Sequence, residues 1–200
     1  MINRLSNAPH ETRVTALRSD LRVAVAVHEA GHVVMAGRCG VIPERVSLPA
    51  VHQTQVGEYE IVVNADTAFH AKDITPNNAA DICLGGYCGE LAWLDRAKVL
   101  AGAPIYANAD RARNDCLMML RFIPTPNSAS TERDLTAGGK VGEQVVVKLA
   151  TDFGRHAYNE LCLHRDELIR VATLLFDRWE QDGFGFVRHA LQFASSHSSQ

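Results

Sequence analysis

Two histidines and a glutamate lie close together near the start of the chain, as His28, Glu29 and His32. Because an α-helix has about 3.6 residues per turn, both imidazoles would leave the same helical face and could bind one metal ion. Glu29 follows the first histidine, where its carboxylate could take a proton from a metal-bound water. The spacing therefore predicts a zinc ion (Zn²⁺) that lowers the pKa of this water, with Glu29 as the general base.

The five-residue pattern could also arise by chance, with a probability of roughly 2% for a chain of this composition. Three polar groups in an apolar helix need compensation if they are buried, and a metal ion supplies it. We therefore favour the zinc site over a coincidental match. The surrounding apolar residues include Val23, Val25, Val27, Val33 and Val34.

The elements that must position this motif follow from periodicity and turn signals. The motif helix is predicted to begin at Ser19 or Asp20 and to end at Arg38. A shorter helix is expected after Pro9. Strands are predicted at residues 45–48 and 59–63, and helices from Thr75-Pro76 to about residue 97 and from Asp110 until Pro124 stops it.

Two apolar stripes in the second half of the chain predict amphipathic helices over residues 141–161 and 168–179, joined tightly at residues 164–166 as a helical hairpin. A loop is expected at residues 138–141 and a last short helix at 186–194. We predict an α+β fold that is mostly α-helical, with the zinc helix and a small β-sheet. Residues 1–200 would form a single domain, with a catalytic part at 20–122 and a C-terminal helical part at 130–195.

Composition limits the classes of partner. The chain has 20 Lys and Arg against 23 Asp and Glu, a net charge of −3, which gives no reason to expect nucleic acid. No apolar run approaches the about 20 residues that cross a bilayer, and no signal peptide is evident. The five cysteines form no Cys-x-x-Cys pair, which favours free thiols in a reducing compartment. We expect a cytoplasmic protein without a membrane segment.

A catalytic zinc needs a third protein ligand and an open position. Metzincin spacing would require glycine and histidine where the chain has Met35 and Arg38, so that class is excluded. Glu90 lies on a predicted helix and stays open as a ligand. The other candidates are Asp81, Asp95, Asp110 and Asp115.

Several segments resemble, in order, the peptidase domain of FtsH-type membrane-anchored AAA+ zinc proteases. Residues 27–34 resemble its zinc helix, and residues 43–49 followed by Gly57 and a β-run resemble its strand pair. Residues 85–90 resemble its Gly-Gly-Arg-x-Ala-Glu segment, and residues 108–110 resemble the segment that supplies its third ligand, an aspartate. The two C-terminal stripes resemble its closing helices.

The resemblance implies that His28, His32 and Asp110 are the zinc ligands and that Glu29 is the base. Asp115 is the main alternative, because the Asn114-Asp115 pair also echoes an Asn-Asp dipeptide of the family. For Glu90, a hydrogen bond that orients a ligand imidazole and a salt-bridge or packing role both stay open.

The chain departs from the family at Tyr87, where the family has arginine, and at Gly89, where it has alanine. It also has no phosphate-loop pattern, so ATP-driven unfolding is not expected of it. We expect a zinc metalloendopeptidase that hydrolyses unfolded or flexible polypeptides, alone, with a separate partner, or as a homo-oligomer. An edge strand at residues 59–63 could pair with the substrate backbone.

Two other functions stay open. One is a catalytically silent, zinc-stabilised interaction module derived from a peptidase, which would need four protein ligands and no base. The other is a soluble regulatory protease of another family with the same motif.

Overall fold

The computed structural model of the chain describes residues 21–53, 59–61, 65–93, 109, 111–185 and 187–189. These residues are mostly helical with small antiparallel sheets, as predicted. The helices are α1 (Leu21–Arg38), α2 (Pro76–Trp93), α3 (Arg113–Phe122), α4 (Ser128–Ala137), α5 (Gly139–Phe153), α6 (Arg155–Leu163) and α7 (Arg165–Gln181). The strands are β1 (Arg45–Leu48), β2 (Val51–Gln53), β3 (Tyr59–Ile61), β4 (Asp66–Ala68) and β5 (Val187–His189), and a 3-10 turn covers Ala71–Asp73.

The strands form two antiparallel sheets. β1 is the centre of a three-stranded sheet, with β4 on one side and β5 on the other. Val46 lies opposite Thr67 of β4 and opposite His189 of β5. β2 and β3 pair as a separate two-stranded sheet. β4 is therefore an edge strand within the part of the chain that the structure describes.

Helices α1 and α2 cross at glycines. A Cβ atom on Gly85 would lie 2.8 Å from the carbonyl oxygen of Gly31, and one on Gly89 would lie 3.0 Å from the Cα of Gly31. Only residues without a side chain allow two backbones to approach this closely. The crossing brings the face of α1 that carries His28 and His32 directly against α2.

The core continues from this helix pair to the C-terminal helices. α7 packs against α1, and α6 packs against α2. Trp179 of α7 is fully buried, and its indole Nε1 donates a hydrogen bond of 2.8 Å to the carbonyl of Pro49. Among the described helices, none has the length and apolar character that a membrane span requires.

Several predicted boundaries are confirmed. The motif helix ends at Arg38, β1 covers residues 45–48, and α2 begins at Pro76. α3 ends at Phe122, before Pro124, and the second predicted strand is observed at residues 59–61. α6 and α7 meet at His164, where the tight connection was expected. α3 begins at Arg113, later than the predicted start at Asp110, since residues 111 and 112 form a turn. The predicted starts at Ser19 and Asp20, the helix after Pro9 and the end near residue 97 lie outside the described residues.

Three predictions for the second half are wrong. Residues 141–161 form two helices, because α5 ends before Gly154 and α6 begins after it. Gly154 is tightly packed, since a Cβ atom there would lie 2.9 Å from Cys88 Sγ and 2.7 Å from the Ala150 carbonyl oxygen. The expected loop at residues 138–141 contains the start of α5 at Gly139. The expected helix at 186–194 is also wrong, since residues 187–189 pair with β1. Left-handed Gly183 and Phe184 turn the chain back toward that edge.

Candidate metal centre

Helix α1 places both imidazoles of the motif inside the protein. His28 is 3% exposed and His32 is 5% exposed, so neither side chain is surrounded by water. Their Nε2 atoms face each other at 3.3 Å, one helical turn apart. Two buried rings in this arrangement present a pair of nitrogen atoms to a shared point, which is the geometry that the sequence spacing predicted.

Asp115, in the first turn of α3, brings a carboxylate to the same point. Its Oδ2 atom lies 3.1 Å from His28 Nε2 and 3.5 Å from His32 Nε2. The side chain is 24% exposed, so it borders solvent while the imidazoles do not. His28, His32 and Asp115 form a group that could hold a metal ion. Asp110, the ligand that the family resemblance implied, lies outside the described residues.

The other nitrogen of each ring is already engaged. His28 Nδ1 donates to Glu90 Oε1 at 2.8 Å, and His32 Nδ1 donates to the carbonyl of Ile82 at 2.7 Å. These bonds assign the proton of each neutral imidazole to Nδ1 and leave a lone pair on Nε2. In this state two Nε2 atoms and a carboxylate oxygen converge, an arrangement that a metal ion or a proton between them would stabilise.

The electrostatics of the group agree with this arrangement. Burial opposes a charged imidazole, but hydrogen bonds to Asp115 and Glu90 outweigh it and raise the pKa of His28 to about 10. Burial would raise the pKa of Asp115, but the two histidines hold it below its usual range. The donor set therefore stabilises positive charge at this position, as a metal-binding site does.

Gly86 of α2 leaves the space that an ion would require. A Cβ atom at this position would lie 2.5 Å from His28 Nε2 and 2.5 Å from His32 Nε2. Any side chain here would collide with the two imidazoles at the nitrogens that face Asp115. The absent side chain and the converging donors together show that these residues fit a bound ion.

Glu29 lies beside the metal group and is 3% exposed. Its Oε2 atom accepts a short hydrogen bond of 2.5 Å from Thr67 Oγ1 on β4. Burial raises the pKa of this carboxyl, although the two imidazoles and the Thr67 hydroxyl oppose the shift. β4 therefore holds one carboxylate oxygen of the predicted base.

Glu90 is buried and bridges two groups. Besides accepting from His28, it receives two hydrogen bonds from Arg111, from Nε at 3.0 Å and from an Nη at 2.7 Å. Burial would raise the pKa of Glu90, but Arg111 and His28 lower it. The structure shows both roles left open for Glu90, a hydrogen bond to the imidazole of His28 and a salt bridge, here a buried one, with Arg111.

A cleft of about 620 Å³ opens over the metal group. Glu29, Asp115 and β4 border it on the polar side. Its apolar side is formed by residues from several elements, which are Val25, Phe69, Ile74, Ile82, Met118 and Phe122. The cleft has the size and mixed lining of a binding site for an organic ligand or a peptide segment.

Of the remaining candidates from the sequence, Asp81 does not join the group and accepts a hydrogen bond from His156. Asp95 lies outside the described residues. Sequence reasoning missed Thr67, Arg111 and the Ile82 carbonyl. Each acts as a single residue from a distant segment, so no local pattern marked it.

Comparisons of the chain with protein-family models, with curated protein sequences and with solved structures gave no match.

Proposed function

We propose that the protein is a zinc-dependent metalloendopeptidase that hydrolyses peptide bonds in unfolded or flexible polypeptides. One observation carries the proposal. The three converging atoms of His28, His32 and Asp115 lie next to a buried Glu29 at the floor of an open cleft. This combination supplies metal ligands, a base and access for a substrate in one place.

The interatomic distances support zinc as the ion. Tetrahedral zinc sites hold nitrogen and oxygen ligands at about 2.0–2.2 Å, which places neighbouring ligand atoms roughly 3.3–3.6 Å apart. The observed separations among the Nε2 atoms of His28 and His32 and Oδ2 of Asp115 are 3.1, 3.3 and 3.5 Å. Small adjustments of the side chains would accommodate the ion.

The number of ligands supports a catalytic rather than a structural role. Structural zinc sites use four protein ligands, whereas catalytic sites use three and keep one position open. Within the described residues, the group has three members, and its open side faces the cleft. This count favours the peptidase over the silent interaction module.

A zinc ion at this position would acidify a water molecule and polarise the carbonyl of the scissile bond. The chain itself would supply the proton transfer. Thr67 holds Oε2 of Glu29, which leaves Oε1 to accept the proton of the attacking water and deliver it to the departing amine. Because Thr67 lies on β4, the edge strand that lines the cleft would also align the base.

The same strand offers a binding mode for the substrate. The sequence predicted a pairing edge at residues 59–63, of which the structure describes the backbone of β3. Among the residues whose side chains are described, β4 at Asp66–Ala68 lines the cleft. An extended peptide could pair with this edge through its backbone, which tolerates many sequences. The apolar side of the cleft would favour segments with bulky apolar side chains, which unfolded chains expose.

We further propose that the catalytic unit is FtsH-like. The order of the motif helix, the strands, the glycine-rich helix with Glu90 and the Asn114-Asp115 segment supports this assignment. With Asp115 in the metal group, the Asn-Asp dipeptide becomes the counterpart of the family's third-ligand segment, in place of residues 108–110.

The substitution Glu29→Gln tests the function. It keeps the shape of the side chain but removes the base, so we expect zinc uptake to persist and cleavage of an unfolded casein-like substrate to fall by about 10²–10⁴-fold. Glu132→Gln, on the exposed surface of α4, is the matched control and should cleave like the wild type. Unchanged cleavage by Glu29→Gln would refute the mechanism. A wild-type protein that binds zinc but cleaves nothing would support the interaction module instead.

A further inference from the structure

Arg111 connects two parts of the metal centre without reaching the metal position. It lies in the turn immediately before α3, and its guanidinium makes two hydrogen bonds to the carboxylate of Glu90 on α2. The side chain of Glu90 is 4% exposed and that of Arg111 is 16% exposed. Two parallel bonds between a guanidinium and a carboxylate fix both the distance and the orientation of the partners.

The contacts of Glu90 and Asp115 close this connection into a ring. Oε1 of Glu90 accepts from Arg111 Nε and also from His28 Nδ1. Nε2 of His28 lies 3.1 Å from Asp115 Oδ2, and Asp115 follows Arg111 by four residues on the same segment. The ring therefore runs from Arg111 through Glu90 and His28 to Asp115 and back along α3.

The start of α3 lacks a side-chain cap in the described part of the chain. Its N-cap residue, Ala112, makes no side-chain capping hydrogen bond. The first turn of this helix carries Asp115, so its position decides where the third carboxylate lies. A buried two-bond contact four residues upstream is well placed to set that position.

We propose that Arg111 is a positioning residue that locks the helix of the third ligand onto the first ligand and thereby sets the affinity of the site for its metal. The inference rests on the proposed metal site but not on peptidase activity. Glu90 lies on α2, outside the segment that carries Asp115, and its contact with that segment runs through Arg111. Arg111 belongs to the segment of Asp115, so its loss removes the two hydrogen bonds that tie the segment of the third ligand to Glu90.

The test is the zinc affinity of the full chain, measured by competition with a chromophoric chelator. We expect Arg111→Met to weaken zinc binding by about 10–100-fold, the usual cost of losing a group that supports a ligand. Arg111→Lys keeps the charge but loses the fork geometry and should show a smaller loss. Arg121→Met, on an exposed position of the same helix, is the matched control and should bind like the wild type.

A double-mutant cycle with Glu90→Gln separates this role from a general loss of stability. If Arg111 acts through Glu90, the double variant should bind zinc no more weakly than the weaker single variant. Wild-type affinity in both Arg111 variants, or losses that add in the double variant, would overturn the proposal. If Arg111→Met does not fold, the same cycle run with Arg111→Lys decides. A wild-type chain that takes up no zinc would instead refute the proposed function.

Discussion

The side of the metal centre formed by α1 and α2 is buried and held by hydrogen bonds, whereas the side formed by α3 and β4 faces the cleft. On the first side, His28 and His32 are each tied through Nδ1 to α2. On the second side, Asp115 is 24% exposed and Thr67 reaches Glu29 from an edge strand. The imidazole pair therefore belongs to the buried core, while the proposed third ligand and the proposed base depend on elements at the border of that core.

The largest expected effect comes from adding a side chain at Gly86, on the side of the site formed by α1 and α2. Gly86→Ala would place a Cβ atom 2.5 Å from both Nε2 atoms, so we expect zinc uptake to be lost and stability to fall by about 1–3 kcal/mol. Zinc content after dialysis and thermal unfolding measure the two effects. Gly37→Ala on α1 is the matched control, because a Cβ there meets nothing within 4 Å. Normal zinc content in Gly86→Ala would mean that the ion does not lie between the two imidazoles.

The next effect concerns the third ligand on the open side. Asp115→Ala removes a proposed zinc ligand itself, not a residue that orients a ligand. Loss of an orienting residue typically weakens metal binding by about 10–100-fold, and we expect a larger loss of zinc affinity here. Titration calorimetry with zinc measures this loss. Asp110→Ala is the informative control, because the sequence alone left the two aspartates as alternatives. The reverse result, with Asp110 essential and Asp115 dispensable, would contradict the arrangement in α3.

The smallest effect concerns the alignment of the base. Thr67→Val keeps the shape but removes the hydrogen bond to Glu29, a loss of about 1.5 kcal/mol that corresponds to roughly tenfold in kcat. We expect zinc affinity to stay at the wild-type level and Thr67→Ser to restore most of the activity. Peptide cleavage kinetics and zinc titration together measure this pattern. Weaker zinc binding in Thr67→Val would indicate a general disturbance of the site instead.

The buried side was largely predictable because its pattern is local. A one-turn spacing of histidines determines which face they share, and the apolar residues around them indicate burial. The sequence left two roles open for Glu90, because its partners His28 and Arg111 come from distant segments and only the fold brings them together. Gly31, Gly85 and Gly86 allow α1 and α2 to approach closely. A contact between two helices leaves no pattern in the sequence of either helix alone, so the sequence did not predict it.

The open side was less predictable because it depends on where elements start and meet. The sequence could not choose between Asp110 and Asp115, since a shift of a few residues rotates a side chain to another helical face. Thr67 lies on a three-residue strand that is too short to show a sequence pattern and is recognised by its pairing with β1. The wrong helix prediction at residues 186–194 has the same cause. β5 forms because it pairs with β1, and its own sequence has no strand periodicity that would indicate this.

The glycine crossing of α1 and α2 orients the two imidazoles at which a metal ion would bind. With backbones in near contact at Gly31 and Gly85, the bonds from His28 to Glu90 and from His32 to Ile82 form as part of folding. The conformational entropy of the two rings is therefore lost before any ion arrives. A metal ion at the proposed site would therefore bind to imidazoles that the fold has already oriented.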